Sequence, residues 1–409
     1  MNFLNYSKSV KHYLIGTFIS SIGDGMFALA ISKLAFDKTG TVAGVGVVII
    51  IQSLTAFILN FIAGYVVDNY DSKKISIYSD FIQAIIIILY IFFMDISDSG
   101  GLLLFLLTSI ISCISPFFRA ANFKLLPEID RGKLSLVRLN GLRSSVKQGG
   151  LLLGSALIAP FIVFHLLKLA FVLNGVSFLV SCFCTQQIVL KDNMKNTVGT
   201  KLVEIYRNWF LLLKELLLDS KMFYLILFST FDYLTINFIN LIGIKYAEIR
   251  LHQSAFISLI DGGYAIGAIC SFLLITYIFS KYSFKHISWI GLFVQGIAII
   301  LMDNFSNVYT TGIFIFLIGV FTGTSISLFQ TVLHKIIPHK FHGKISSFRD
   351  MLVSIETLLI IPIFSYLVSF DFWKSMLVFG GIMIVLSSIL MYLGLINYFP
   401  DVDFSDDKV

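Results

Sequence analysis

Ionisable side chains set inside long apolar runs are the residues of this 409-residue chain that could do chemistry. A charge surrounded by hydrocarbon is expensive, so such a residue pairs with another, meets a ligand or moves a proton. Asp24, flanked by Gly23 and Gly25, lies midway along the first apolar run, and Asp232 lies in the seventh. A carboxyl group reached by water can take up and release a proton. Asp24, then Asp232, then Glu356 in the eleventh run are therefore candidates for proton coupling; the alternative for each is a hydrogen bond between helices. Arg119 follows Pro116 in the fourth run, too deep to act only in orienting the chain. It can hold an anionic substrate group or pair with Asp24 or Asp80. Lys33 and Lys245 stand 212 residues apart, at near-equivalent places in the first and seventh runs. Facing one outer cavity they would favour an anion; otherwise each snorkels beside a neighbouring acid, Asp37 or Glu248. Asp261 in the eighth run is a further substrate-contact candidate. Asp80, near the inner end of the third, is expected to be a structural partner of Arg143 or Lys147.

These residues need elements that cross a membrane. Hydrophobic residues make up 57% of the chain and charged residues 13%, about half the charged share of a soluble protein. A helix crossing ~30 Å of hydrocarbon takes ~20 residues. Twelve segments qualify, near 12–36, 41–67, 75–94, 100–123, 134–164, 168–190, 222–247, 254–280, 286–302, 307–333, 344–369 and 374–399, the ninth being short. Open β-structure is excluded at that depth because its backbone groups would stay unpaired in lipid. The reading is an all-α membrane protein of 12 transmembrane helices. The net charge of +6 lies in short segments between apolar runs, not in one patch, which argues against nucleic acid. Its bias towards alternate connections predicts both termini in the cytoplasm. Met1 to Lys11 lacks a cleavage pattern, so the first helix is expected to insert and stay.

The second half repeats the first at an offset of 211 residues. Lys124, Pro127, Gly132, Lys133, Ser135 and Arg138 recur as Lys335, Pro338, Gly343, Lys344, Ser346 and Arg349. Two like halves usually place a moving substrate site at their seam. Expected boundaries are a six-helix bundle over 1–190, a cytoplasmic linker over 191–220, a second bundle over 221–399 and an acidic tail over 400–409. Within the linker, Leu202, Tyr206, Trp209, Leu213 and Leu217 recur at helical spacing, as in an amphipathic helix lying on the inner leaflet or packed under the bundle.

The first seventy residues carry a resemblance. Ser21-Ile22-Gly23-Asp24 is followed by Lys38-Thr39-Gly40-Thr41, by Gly64-Tyr65-Val66-Val67-Asp68-Asn69-Tyr70-Asp71-Ser72-Lys73-Lys74, and by Ser79-Asp80. Together they resemble the major facilitator superfamily, within it the branch of macrolide-efflux proteins and the enterobactin exporter. The resemblance implies a fold of two pseudo-symmetric six-helix bundles and a conformational latch at Gly64, Asp68, Asp71, Lys73 and Lys74. In the superfamily the residue matching Asp68 latches the cytoplasmic ends, here towards residues 343–347. Asn69 and Ser72 stand where arginines are usual. Gly64 would let two helices approach closely. The glycines at 149, 150 and 154 resemble an exporter motif lacking its usual proline; ordinary close packing is the alternative.

The function this implies is secondary active export of a small organic molecule, drug-like or siderophore-like, by proton antiport, the two bundles rocking about a site near mid-membrane. Uptake on the same fold is the alternative, and a non-transporting membrane protein a third. Expected partners are the small-molecule substrate, protons and the lipid bilayer, with a monomer expected. No nucleotide loop, metal cluster or nucleophile–base set is present in the sequence, so neither an enzyme nor an ATP-driven pump is expected, and no cofactor.

Overall fold

A long apolar run folds as a helix because only that ladder pairs every backbone group of a single segment within itself. The computed structural model describes residues 7–94, 101–129, 136–190, 220–279, 287–336 and 342–398. The expected linker helix and the acidic tail lie outside the described residues. Among the described residues all regular structure is helical. Eleven helical stretches are long and apolar enough to cross a membrane, and Ile290–Asn304 is a shorter twelfth. The chain is thus a multi-pass membrane protein. It divides into two compact units, Met1–Leu202 and Val203–Val409.

The N-terminal unit contains α1 (Lys8–Thr39), α2 (Val42–Asn69), α3 (Ser72–Phe93), α4 (Leu102–Ile129), α5 (Leu136–Val163) and α6 (Leu167–Gln186). Sequence signals fix their ends. Gly40 adopts φ 66° and sends its N–H to the Phe36 carbonyl, closing α1. Asp71 accepts from the backbone N–H groups of Lys73 and Lys74, so α3 begins at Ser72, three residues before the expected 75. Ser72 donates to Glu128 at 2.7 Å, joining α3 to the end of α4. Lys73 Nζ caps the carbonyls of Gln186 and Ile188 at the end of α6, at 2.9 and 2.7 Å.

Helix α1 packs against α5 and α6, and small residues set the spacing. A Cβ on Gly25 would stand 2.5 Å from the Leu151 carbonyl oxygen, and one on Gly150 2.7 Å from that of Phe18. A Cβ on Gly154 would strike the carbonyl of Ile22. Gly150 and Gly154 therefore serve close packing of α5 on α1, whereas a Cβ on Gly149 would only touch the Phe18 ring at 4.0 Å. Gly64 departs from expectation: among the described residues a Cβ there would meet no atom within 4 Å. It does not mediate a close helix approach there.

The C-terminal unit contains α7 (Ser220–Phe228), α8 (Phe231–Arg250), α9 (Ile257–Phe279), α10 (Ile290–Asn304), α11 (Val308–Ile336), α12 (His342–Phe370) and α13 (Phe372–Leu395). The seventh expected span, 222–247, is broken into α7 and α8 at Ser229–Thr230. The Thr230 hydroxyl bonds back to the Leu227 carbonyl at 2.5 Å and Thr230 N–H bonds it at 3.1 Å, tightening the turn out of α-geometry. Phe238 stacks on Phe379 at 4.0 Å and meets Phe364 edge-on at 5.3 Å, so it belongs to an aromatic core joining α8, α12 and α13. Arg250 grips Asp303 with two bonds of 2.7 and 2.9 Å, tying α8 to the end of α10.

Candidate substrate and proton site

Three helices of the N-terminal unit present polar stripes at helical spacing. On α1 the stripe runs Tyr13, Thr17, Ser21 and Asp24; on α4, Ser112, Ser115, Arg119 and Asn122; on α6, Ser181 and Thr185. On α5, Arg143, Lys147 and Leu151 share the face that carries Gly150 and Gly154. The close packing of α5 on α1 therefore delivers Lys147 to the wall opposite Asp24. With Gln52 of α2 and Gln83 of α3, all six helices enclose one cavity of about 400 Å³.

Among the described lining residues Asp24 is the one carboxylate, against Arg119, Arg143 and Lys147. Asp24 makes no hydrogen bond to a described residue, and Lys147 is the cation that bears on it electrostatically. Lys147 opens onto the cavity and feels Asp24 as an attraction, Arg143 and Arg119 as repulsions. The Tyr13 hydroxyl donates to the Asn122 carbonyl at 3.2 Å, and Arg143 acts on the same phenol oxygen. Asp80 lies behind this wall, fully buried. Its expected partners are corrected: neither Arg143 nor Lys147 acts on it, but Ser181 and Asp24 do, because it points towards α6 and α1 and not towards α5.

The other candidates are placed elsewhere. Asp232 is fully buried and accepts from Gln295 Nε2 and Ser325 Oγ, both at 2.7 Å, tying α8 to α10 and α11. Glu356 lies 2.6 Å from the Thr230 hydroxyl, whose one proton is shared between this carboxyl and the Leu227 carbonyl, at the break between α7 and α8; its second oxygen is buried with no hydrogen-bond partner among the described residues. Asp261 sits half-buried on α9 and acts on Tyr264. Lys33 and Lys245 each have a partner close by. Lys33 bonds Asp37 one turn along its own helix at 2.5 Å. Lys245 donates to the Val368 carbonyl at 2.7 Å and lies over the Phe372 ring at 5.8 Å. Lys33 is thus paired with an acid on its own helix, and Lys245 is hydrogen-bonded to α12. The side chains of Asp68 and of residues 343–347 lie outside the described residues, and so does the latch expected between them. Asp71 is a helix cap, and Lys73 caps a neighbouring helix end. Lys74 is exposed, its backbone N–H bound by Asp71.

Arg143 and Lys147, expected only as partners of Asp80, line the cavity instead. Their spacing from Gly150 and Gly154 along one helix face is the signal that identifies them.

The N-terminal unit is thus a polytopic helical bundle around a cavity lined by charged, polar and apolar side chains. The profile of the Major Facilitator Superfamily matches residues 13–246 and 225–405, and the chain belongs to that family of transporters. Similar solved structures include a point mutant of the nucleoside transporter NupG, at TM-score 0.78 and 14% identity over 94% of this chain and 99% of that one. A bacterial homologue of the iron transporter ferroportin, in an inward-facing state, gives TM-score 0.75 and 16% identity over 96% and 100%. A point mutant of the peptide transporter POT, in complex with sulfate, gives 0.74 and 12% over 97% and 96%. At these identities the likeness concerns the fold. No curated protein matches the chain.

Proposed function

We propose that this protein is a proton-linked secondary carrier of a small organic molecule, with the N-terminal cavity as part of its substrate path and Asp24 as the coupling acid. The observation that carries this reading is a membrane-embedded carboxylate, without a hydrogen bond to any described residue, opening on a cavity of about 400 Å³ that Lys147, Arg143 and Arg119 also line. That volume suits a small organic molecule. Arg119 contacts substrate in this reading. Asp232, with both oxygens engaged, is assigned to holding helices together. Glu356, with one oxygen engaged at a helix break, is the second proton-coupling candidate. Asp261 remains a proposed substrate contact. Coupling requires that proton occupancy change the carrier's affinity for substrate, or the balance between its two access states.

Export of a drug-like or siderophore-like compound by proton antiport is the direction favoured by the resemblance of the Gly64 to Lys74 loop to macrolide-efflux and enterobactin-exporter proteins. Uptake is the second reading, and the excess of cations over carboxylates in the cavity favours it. A deletion strain and the same strain carrying wild-type or Asp24→Asn protein would be compared for compounds in cells and medium. Export predicts a compound that appears in the medium only with wild-type protein. Uptake predicts one removed from it. A difference restored equally by Asp24→Asn would overturn the proton assignment.

A further inference from the structure

We infer that the N-terminal cavity binds a small organic anion together with a proton, Lys147 exchanging Asp24 for the anionic group of the substrate. This deepens the carrier reading above and rests on it. Lys147 is drawn to Asp24 and repelled by Arg143 and Arg119. Lys147 and Arg143 thus line the cavity as like charges, with Asp24 the one carboxylate among the described lining residues. A carboxylate, phosphate or phosphonate placed among them relieves the repulsion and gains charge-assisted hydrogen bonds. The anion then competes with ionised Asp24 for Lys147. Protonating Asp24 removes the competitor, so anion and proton reinforce each other's binding. The remaining ionisable groups around this pair do not reverse the sign. Asp80 faces Asp24 from α3 as a second, fully buried acid, and Tyr13 on α1 faces Arg143.

The polar walls fit the body of such a molecule. Gln52, Gln83, Ser112 and Thr185 line the same space, and Phe27 and Phe178 supply an apolar side. The binding step breaks the Lys147–Asp24 attraction, forms contacts from Lys147 to the anion and adds one proton to the Asp24 carboxyl. A substrate that enters with a proton is driven inward by an inward proton gradient, so this inference supports the uptake reading.

The test uses purified full-length protein in detergent, lightly buffered, with potassium glutarate and potassium methylphosphonate as probes and potassium chloride at equal ionic strength as control. Binding and proton uptake are recorded together. The expected result is uptake of about one proton per anion bound, and whichever probe binds tells a carboxylate site from a phosphonate-type one. In Asp24→Asn, which imitates the protonated acid, the anion should bind about 5- to 100-fold more tightly at neutral pH with no proton taken up. Lys147→Gln should weaken binding by at least about tenfold, and Lys147→Arg should restore it. Neither probe binding above the chloride control, proton release on binding, or weaker binding by a folded Asp24→Asn protein would each overturn the proposal. Transport in vesicles is measured separately. Synergistic binding without transport would sink the carrier reading alone, and transport with proton release would sink only this inference.

Discussion

A carboxylate in this protein takes its role from the groups that reach its two oxygens. Asp232 has both filled, by Gln295 and Ser325, and no exposure. An amide there can accept through one oxygen only and turns its own donors towards a donor. Asp232→Asn should therefore destabilise the C-terminal unit by about 1–3 kcal/mol while gradient-driven transport by the folded fraction continues. Denaturation in detergent, run beside a transport assay, separates the two. Loss of coupling with unchanged stability would return Asp232 to the proton pathway. Lys245 makes a similar case: its bond to the Val368 carbonyl and its place over Phe372 are structural. Lys245→Met should lower stability and leave the preference for anionic over cationic substrates unchanged. The sequence marked these residues correctly as costly charges in hydrocarbon. It could not show their partners, which lie 63 and 93 residues away for Asp232 and 123 away for Lys245.

At the scale of the element, the number of spans was legible because an apolar run of sufficient length has one stable backbone solution in lipid. The short ninth segment appears as Ile290–Asn304. The break at Ser229–Thr230 was not legible, since Ser and Thr are common within continuous membrane helices and only their back-bonding to the preceding turn opens the ladder. The basic face of α5 was legible in principle, as its spacing from Gly150 and Gly154 shows. It was missed because basic residues at an inner helix end are also what membrane orientation requires. Two substitutions test the packing account. Gly154→Val should destabilise the N-terminal unit by about 1–3 kcal/mol through overpacking against Ile22 and Met26, whereas Gly64→Ala should be tolerated, since no described atom stands near its Cβ. At Asp71, the cap of α3, Asp71→Ala should cost about 1 kcal/mol and Asp71→Asn almost nothing, because Asn caps as well as Asp. Thermal unfolding in detergent reads all four. Transport lost in Asp71→Asn at unchanged stability would show instead that the charge itself acts as a latch.

For the molecule as a whole, membership of the Major Facilitator Superfamily joins the two units into one kind of machine, and the chemistry resolved in each unit differs. Charged groups in the N-terminal unit open on a cavity. In the C-terminal unit Asp232, Arg250 and Lys245 are taken up by helix ties, and Glu356 is left half-engaged among the described residues. The repeat at an offset of 211 residues therefore duplicates the scaffold more faithfully than the site. Direction of transport, in this account, follows from the sign of the linkage between substrate and proton at Asp24. The central claim is that this acid links the two. Reconstituted vesicles loaded with the substrate found in the strain comparison measure it most directly, by recording counterflow exchange and proton-driven accumulation in one preparation. Asp24→Asn should keep exchange near the wild-type rate and lose accumulation against a gradient. Accumulation by the variant to the wild-type level would contradict the account.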